Sequence, residues 1–355
     1  MKKILLLAAA FAVGYVFNWL HIPAGWLLGA MLAGTFYRLF VEEISYPPVL
    51  FDISLALIGV SISLSIKIAM FKQVATYLLP LAVSMVILFV ASWILGKILK
   101  KYSNMDGTTA LFCCLPAGAS IMMALSREYK ANMSMVAAFQ TVRIMLLVAT
   151  IPLVAGLISS FVPTEEVQNS QTGAQAAAST SPLWVALLFY ALLVVVTLVL
   201  AKKWRIPIAP FLYSIILGFL FKTFLLPLPA MPNLLVGLGM AMLGVIIGVR
   251  FDRESLKEFK SIGWTSLIIL AAFFLLTFIT TFVFYLMTSL DFITSLLAIV
   301  PAGAPQMASV ASSMDLDASI VAAMQIIRLL TIIVFIPMIV PLLVSKDAKE
   351  KSDPQ

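Results

Sequence analysis

The stretch Leu115-Pro116-Ala117-Gly118-Ala119-Ser120 interrupts one apolar run of the chain, and Val300-Pro301-Ala302-Gly303-Ala304-Pro305 interrupts another at an offset of 185 residues. The two breaks belong to a gapless alignment of residues 116–152 with residues 301–337, in which thirteen of the 37 positions are identical. Self-similarity at one fixed offset is the sequence signature of an internal repeat. The chain is therefore predicted to consist of two related halves.

Equivalent residues recur well beyond the breaks. The polar and glycine residues that pair between the halves are Gln140 with Gln325, Arg143 with Arg328, Gly34 with Gly218, and Gly59 with Gly244. The predicted halves are residues 1–162 and 183–345. Residues 163–182 are rich in Ser, Thr, Gln and Ala, which predicts a polar linker. Residues 346–355 are predicted to be a charged cytoplasmic tail.

The amino-acid composition is that of an integral membrane protein. The 355 residues are 62% hydrophobic and 11% charged, whereas soluble domains are about 25% charged. Ten apolar runs are long enough to cross a bilayer, namely 4–20, 23–40, 47–66, 74–96, 131–162, 183–200, 206–226, 233–249, 262–287 and 318–344. The first run also resembles a secretory signal, but its internal equivalent, 183–200, favours a span. The sequence predicts an all-α polytopic membrane protein with about ten transmembrane helices plus two Pro-Gly-broken segments.

The distribution of Lys and Arg predicts the orientation, because cytoplasmic loops carry the excess. If both broken segments re-enter and the N-terminus is inside, 18 of the 23 Lys and Arg residues face the cytoplasm and three face outside. If both segments cross fully, the counts become about 10 and 11. The re-entrant arrangement gives five crossings per half, so the repeats are inverted and both termini are cytoplasmic, in the cell membrane. Transporters with inverted repeats bind substrate near the membrane midplane.

The breaks are the first candidate site. Pro116 and Pro301 each remove a backbone donor and free carbonyls that lipid cannot satisfy. The half-helices that follow would direct partly positive amide ends at the protein centre, which suits an anion. The alternative is a structural kink packed against neighbouring helices. The candidate substrate-binding residues at the breaks are Gly118, Ala119, Ser120, Gly303, Ala304 and Gln306.

Arg143 and Arg328 are the second candidate, because a charge at this depth of an apolar helix costs about 3 kcal/mol. Gln140 and Gln325 precede them by three residues and share their helical faces. No Asp or Glu lies within either run, so the expected partners are freed carbonyls, a distant carboxylate or an anionic substrate. A substrate role and a clamp on the broken segment both remain open.

Other polar residues have simpler explanations. The carboxylates near helix ends are predicted to be interfacial caps: Asp52, Asp106, Asp291, Asp315 and Asp317. Residues 250–260 are predicted to form a basic amphipathic helix at the cytoplasmic interface, where the charges would favour anionic lipid. One His and the adjacent Cys113 and Cys114 indicate neither a metal site nor a catalytic residue, and no cofactor is expected.

The doubled order of Ile-Pro, a Gly-containing helix, a Pro-Ala-Gly-Ala break and Gln-x-x-Arg resembles the AbrB family of membrane proteins, over essentially the whole chain. The arrangement is similar to that of cation:proton antiporters and anion transporters. Where those relatives carry Pro-Gly-Gly and Ser-Asn at the break, this chain has Pro116-Ala117-Gly118-Ala119-Ser120-Ile121, which argues against a sodium site of the bile-acid-transporter kind. In those relatives the broken helices usually cross the membrane, unlike the re-entrant expectation here.

Two functions remain as expectations. The first is secondary transport of a small, anionic organic solute at the interface of the repeats. The second, implied by the family's label as a regulator of gene expression, is a membrane-embedded regulator that acts through a ligand or a cytoplasmic partner. Ammonia monooxygenase, another label in the family, is disfavoured because such metal sites need several His or carboxylate ligands. Expected partners are the bilayer, the solute and a second copy, without direct nucleic-acid binding.

Overall fold

The computed structural model describes residues 2–103, 105–117, 119–161, 183–204, 206, 208–224 and 229–350, without the side chains of 119, 120, 161, 183, 337 and 342–350. Within these ranges the first half forms α1 (Lys2–Trp19), α2 (Gly25–Phe40), α3 (Pro48–Ser63), α4 (Ile68–Thr76), α5 (Leu78–Tyr102), α6 (Gly107–Cys114), α7 (Ala119–Glu128) and α8 (Met133–Phe161). The second half forms α9 (Leu183–Lys203), α10 (Ala209–Phe224), α11 (Asn233–Val249), α12 (Arg253–Ser261), α13 (Trp264–Met287), α14 (Phe292–Ile299), α15 (Ala304–Ser313) and α16 (Ala318–Glu350). The predicted linker, 163–182, lies outside the described residues.

The all-helical membrane fold is confirmed. By length and composition six described helices can cross a membrane, namely α1, α5, α8, α9, α13 and α16. The number is eight if the bent pairs α3–α4 and α11–α12 each count as one span. The remaining predicted spans correspond to α2 and α10, which have 16 residues each.

In each half, one short helix follows the third span: α4 follows α3, and α12 follows α11. The bend between α3 and α4 is 98°, and that between α11 and α12 is 55°. The Asp252 carboxylate begins α12 by accepting a hydrogen bond from the Ser255 amide at 2.8 Å. Helix α12 carries Arg253, Lys257 and Lys260, as predicted for the basic amphipathic segment. Its equivalent α4 was not predicted, because its nine residues are too few to give the signal of a membrane span.

The chain divides into two compact units, each built from both halves of the sequence. Unit 1 comprises Met1–Lys72, Ala149–Arg250 and Pro305–Ala322, and therefore contains α1 to α3, α9 to α11 and most of α15. Unit 2 comprises Gln73–Val148, Phe251–Ala304 and Ala323–Gln355, and contains α5 to α7 and α12 to α14. The long helices α8 and α16 contribute to both units.

Unit 1 is held together by glycines that let helix backbones approach closely. A Cβ atom on Gly34 of α2 would lie 2.7 Å from the Val245 carbonyl oxygen of α11, and Gly218 of α10 lies against Val60 and Ser63 of α3. Because Gly218 is equivalent to Gly34, and Val60 to Val245, the two contacts are the same contact repeated. The repeats are therefore related by a pseudo-twofold axis within unit 1.

The direction of these contacts identifies the repeats as inverted. Gly237 lies against Trp26 and Gly248 against Met31, so α2 and α11 run in the same direction. Helices α2 and α3 are consecutive predicted spans, and the connection 41–47 between them is too short to cross the membrane again, so they run in opposite directions. Helix α11 therefore runs opposite to its own equivalent, α3, as inverted repeats require.

Unit 2 contains the whole first broken segment and the α14 part of the second, and its contacts indicate that the first one re-enters. The Asn132 amide, just before α8, donates to the Thr109 hydroxyl in the first turn of α6 at 2.8 Å. Further along, Gln140 of α8 bonds Phe112 and Leu115 near the end of α6. Helices α6 and α8 thus start at the same level and run parallel. The chain must return to its starting side through α7, as the charge count predicted.

Most of the predicted caps are found at helix ends. The Asp106 carboxylate accepts from the Thr109 amide at 2.9 Å, and its equivalent Asp291 accepts from Thr294 at 2.8 Å. Asp317 accepts from the amides of Ser319 and Ile320 at the start of α16. For Asp52 the prediction is wrong: it lies inside α3, whose N-cap position is occupied by Pro47. Proline at the start of a helix fits without a side-chain cap.

Candidate functional site

Both breaks end a buried eight-residue helix. Helix α6 ends at Cys114 and α14 ends at Ile299, and Leu115 and Val300 follow in extended backbone conformations. Extended backbone after the helix leaves the last carbonyls without intrahelical partners. Gly303 has a φ of 105°, which favours glycine over other residues. The breaks therefore leave buried carbonyl oxygens that need hydrogen-bond donors from elsewhere in the protein.

The amides of the two glutamines bind these carbonyls. Gln140 Nε2 donates to the Phe112 oxygen at 2.9 Å and the Leu115 oxygen at 3.1 Å. Gln325 Nε2 donates to the equivalent oxygens, those of Leu297 at 2.6 Å and Val300 at 2.9 Å. Each glutamine thus takes one carbonyl from the last turn of the short helix and one from the break.

Arg143 completes the first set of bonds. Its Nη1 donates to the Leu115 oxygen at 3.0 Å, and its Nη2 donates to Gln140 Oε1 at 2.5 Å. A longer contact of 3.5 Å joins Nη2 to the Ala117 oxygen. Both members of the Gln140–Arg143 pair therefore hold the same carbonyl, that of Leu115.

Arg328 repeats the arrangement in the second half. Its Nη1 donates to the oxygens of Ile299 and Val300, both at 2.7 Å, and its Nη2 donates to Gln325 Oε1 at 2.7 Å. We call each Gln–Arg pair together with its carbonyls a clamp: the first clamp is Gln140–Arg143 on α6, and the second is Gln325–Arg328 on α14. The structure supports the clamp role that the sequence left open.

The two guanidinium groups are buried without a compensating carboxylate. Arg143 is 1% exposed and Arg328 is 6% exposed. Among the residues that the structure describes, no Asp or Glu lies at ion-pair distance from either guanidinium. Each Nε atom is buried and has no hydrogen-bond partner in that part of the chain. Carbonyl bonds satisfy part of the hydrogen-bonding capacity but do not cancel the charge.

The surroundings concentrate this positive charge. Arg143 and Arg328 both belong to unit 2. The ring of Phe273 faces Arg143, with the guanidinium carbon 4.8 Å from the ring centroid. Cation–π attraction of this kind stabilises a desolvated cation by about 2 kcal/mol. The position equivalent to Phe273 in the first half is Leu88, so the second clamp lacks the counterpart of this ring.

The structure describes some of the predicted substrate-binding residues at the two breaks. Pro116 and Pro301 lie at the breaks, and Ala304 begins α15. Gly118 lies outside the described residues, and Ala119 and Ser120 are described only as the start of α7. Gln306 is 8% exposed, belongs to unit 1, and has a buried Oε1 with no partner among the described residues. The structure therefore brings Gln140 to Arg143 and Gln325 to Arg328.

Two participants were not predicted. Phe273 lies in α13, an uncharged helix with several aromatic residues, whose sequence gives no signal for one ring over another. The bond between Asn132 and Thr109 joins residues 23 positions apart, and the sequence gives no signal for their contact. In the described part of the chain, no three His, Cys, Asp or Glu side chains come together as a metal site would require.

The fold and the site define the class: a polytopic α-helical membrane protein of two inverted repeats, in which buried Gln and Arg side chains clamp the helix breaks. The sequence profile described as "Transition state regulatory protein AbrB" matches residues 2–62 and 26–344, so the chain belongs to the AbrB family. It is 27% identical to "Putative regulator AbrB" of Escherichia coli (strain K12) over 322 residues, which cover 90% of each chain. It is 20% identical to "Uncharacterized protein YhjN" of Bacillus subtilis (strain 168), over 95% of this chain and 92% of that protein.

Proposed function

We propose that this protein is a secondary transporter of a small organic anion, bound at the two clamps. The observation that carries the proposal is the pair of buried guanidinium groups, Arg143 and Arg328, with carbonyl partners and no described carboxylate partner. An uncompensated buried charge is strongly unfavourable. An anion that binds beside such a charge is attracted because it removes part of this penalty.

The helix breaks add to the attraction for an anion. Helix α7 of unit 2 begins directly after the first break, at Ala119, and has ten residues. The first amides of a helix carry partial positive charge and lack intrahelical acceptors. Inverted-repeat transporters use such half-helix ends to hold carboxylate groups of their substrates. This supports a substrate with at least one carboxylate.

The clamps also argue against a coupling cation at the same carbonyls. The oxygens of Leu115 and Val300 each accept hydrogen bonds from a glutamine amide and a guanidinium. A carbonyl that already accepts two donors has no lone pair left for a sodium ion. The fixed guanidinium groups supply the charge that a bound cation would otherwise supply.

Uptake into proteoliposomes tests the proposal. We expect a panel of radiolabelled monocarboxylates, dicarboxylates and amino acids to contain at least one compound that shows counterflow. The variants Arg143→Lys and Arg328→Lys retain the charge but lose the forked geometry, and we expect each to reduce uptake by about tenfold or more. Lys202→Gln, at the end of α9, is the matched control for the removal of a basic side chain. Absence of counterflow for every anion, with folded protein in the vesicles, would overturn the proposal.

A membrane-embedded regulator is the second candidate. The observation that favours it is the printed name of the Escherichia coli relative, a "Putative regulator". The amphipathic helix α12, with Arg253, Lys257 and Lys260, is the surface on which a cytoplasmic partner could bind. Co-purification of one stoichiometric partner that is lost when these three residues become Gln, together with absent counterflow, would support this function over transport.

A further inference from the structure

An apolar cavity of about 400 Å³ lies between α5 and α16 in unit 2. Its walls include Val86, Val90 and Trp93 of α5 and Phe335 of α16, and Leu115 contributes to it from the first break. The surface that faces the cavity is wholly apolar. The Thr331 hydroxyl, which could have offered a polar group, donates instead to the Ile327 carbonyl at 2.8 Å. The cavity has the volume of a small-molecule site but none of its polar groups.

The cavity opens sideways from the helices. Val86 is 62% exposed, Val90 is 51% exposed and Phe335 is 48% exposed, although all three contribute to its walls. Both α5 and α16 are long and apolar enough to cross a membrane. In such helices, exposed apolar side chains face hydrocarbon. The cavity is therefore a groove that is open to the bilayer, and we call it the α5–α16 groove.

One end of the groove carries positive charge. The Lys97 ammonium lies 4.2 Å from the centroid of the Trp93 ring, which is itself part of the wall. Lys100 and Lys101 follow in the last turn of α5. Trp next to Lys is typical of the boundary between hydrocarbon and headgroups. From Ala82 to Trp93 the groove extends about 16 Å along the helix, close to the thickness of one leaflet's hydrocarbon.

We propose that the α5–α16 groove binds an anionic phospholipid, with one acyl chain against Val86, Val90 and Phe335 and its phosphate at Lys97. The apolar wall fits an acyl chain, and the charge at one end complements a phosphate and selects an anionic headgroup over a zwitterionic one. The groove reaches Leu115, whose carbonyl accepts both Gln140 and Arg143. A bound chain therefore contacts the residue that the first clamp holds.

Quenching of Trp93 by brominated lipid tests this site in the full-length protein. The protein is reconstituted with phosphatidylglycerol or phosphatidylcholine that carry the same dibrominated acyl chains, and the signal of a Trp93→Phe variant is subtracted. We expect phosphatidylglycerol to compete for the groove about fivefold better than phosphatidylcholine, and Lys97→Gln to remove this preference. Lys202→Gln, on α9, is the control and leaves the preference unchanged.

A second pair of variants tests the groove itself. Val86→Phe fills the groove, whereas Ile94→Phe also introduces an aromatic ring on the same helix, at a 47% exposed position outside the wall. We expect Val86→Phe to reduce the phosphatidylglycerol-specific quenching and Ile94→Phe to leave it intact. Equal quenching by both lipids in the wild-type protein, or equal effects of the two Phe variants, would overturn the proposal.

Discussion

Arg143 and Leu115 are joined by a hydrogen bond of 3.0 Å between the guanidinium Nη1 and a backbone carbonyl that the helix break leaves free. The equivalent bond joins Arg328 to Val300 at 2.7 Å. In both halves a glutamine three residues earlier binds the same oxygen. The clamp therefore occurs twice. In each copy a buried guanidinium and a glutamine amide donate hydrogen bonds to the backbone carbonyls that the helix break leaves without partners.

The glutamines are expected to stabilise the fold directly. Replacing Gln140 with Met preserves the side-chain length but leaves the oxygens of Phe112 and Leu115 with fewer donors in a buried site. We expect a loss of about 1 to 2 kcal/mol of unfolding free energy, because a buried carbonyl that loses its donor costs about 1 to 3 kcal/mol. Thermal unfolding of the detergent-solubilised protein measures it.

Gln325→Met is the matched test in the second half. Because Gln325 makes the same two carbonyl bonds, we expect a similar loss. A change in melting temperature for one variant and none for the other would show that the two clamps are not energetically equivalent.

Much of the fold was predictable, because its signals are local. The ten apolar runs follow from hydrocarbon thickness, and the offset of 185 residues follows from identities such as Gln140 with Gln325. The re-entrant path followed from the loop charges. Which helices pack against each other was not predictable. Glycines indicate close packing, but the sequence around Gly34 or Val245 does not indicate that α2 packs on α11 rather than on another span. The division into units drawn from both halves follows from that pairing.

The candidate site was predictable in its residues and not in its geometry. Buried Gln and Arg at a spacing of three residues predict one shared face, and freed carbonyls were among the expected partners. The identity of the bound carbonyls depends on the parallel packing of α6 and α8, which is tertiary structure and has no local sequence signal. Phe273 comes from α13, far away in the sequence, so its ring against Arg143 left no local signal.

Close packing in unit 1 predicts a strong effect of adding one methyl group. In Gly34→Ala the new Cβ atom would lie 2.7 Å from the Val245 carbonyl oxygen, which is backbone and cannot rotate away. We expect about 1 to 3 kcal/mol of destabilisation, the usual range for overpacking. In Gly239→Ala, the control on α11, the nearest atom is the Leu57 Cβ at the longer distance of 3.1 Å, so the change should be smaller. Equal melting temperatures for the two variants would contradict the pairing of α2 with α11.

Cysteine labelling tests the inverted, re-entrant topology. Glu128→Cys at the end of α7 and its equivalent Ser313→Cys at the end of α15 are exposed positions, whereas the native Cys113 and Cys114 are buried. In a background with both native cysteines replaced by Ala, we expect a membrane-impermeant maleimide to label the two sites from opposite sides of the membrane. Labelling of both from the same side would exclude inverted repeats.

The contact between Phe273 and Arg143 predicts an energetic difference between the two clamps. Phe273→Leu gives the first clamp the residue type that its counterpart has at Leu88, and it removes the ring that faces the guanidinium. In a double-mutant cycle with Arg143→Lys, we expect a coupling of about 0.5 to 2 kcal/mol in unfolding free energy, because the delocalised guanidinium stacks on a ring better than an ammonium does.

The neighbouring ring on the same helix supplies the control for this cycle. Phe274 is half-buried and packs on Phe278, so Phe274→Leu removes the same volume without touching Arg143. We expect additive effects of Phe274→Leu and Arg143→Lys. If the Phe273 cycle is also additive, the ring stabilises α13 by packing alone. The charge of Arg143 is then stabilised only by its hydrogen bonds to Leu115 and Gln140 and by an anion bound at the site.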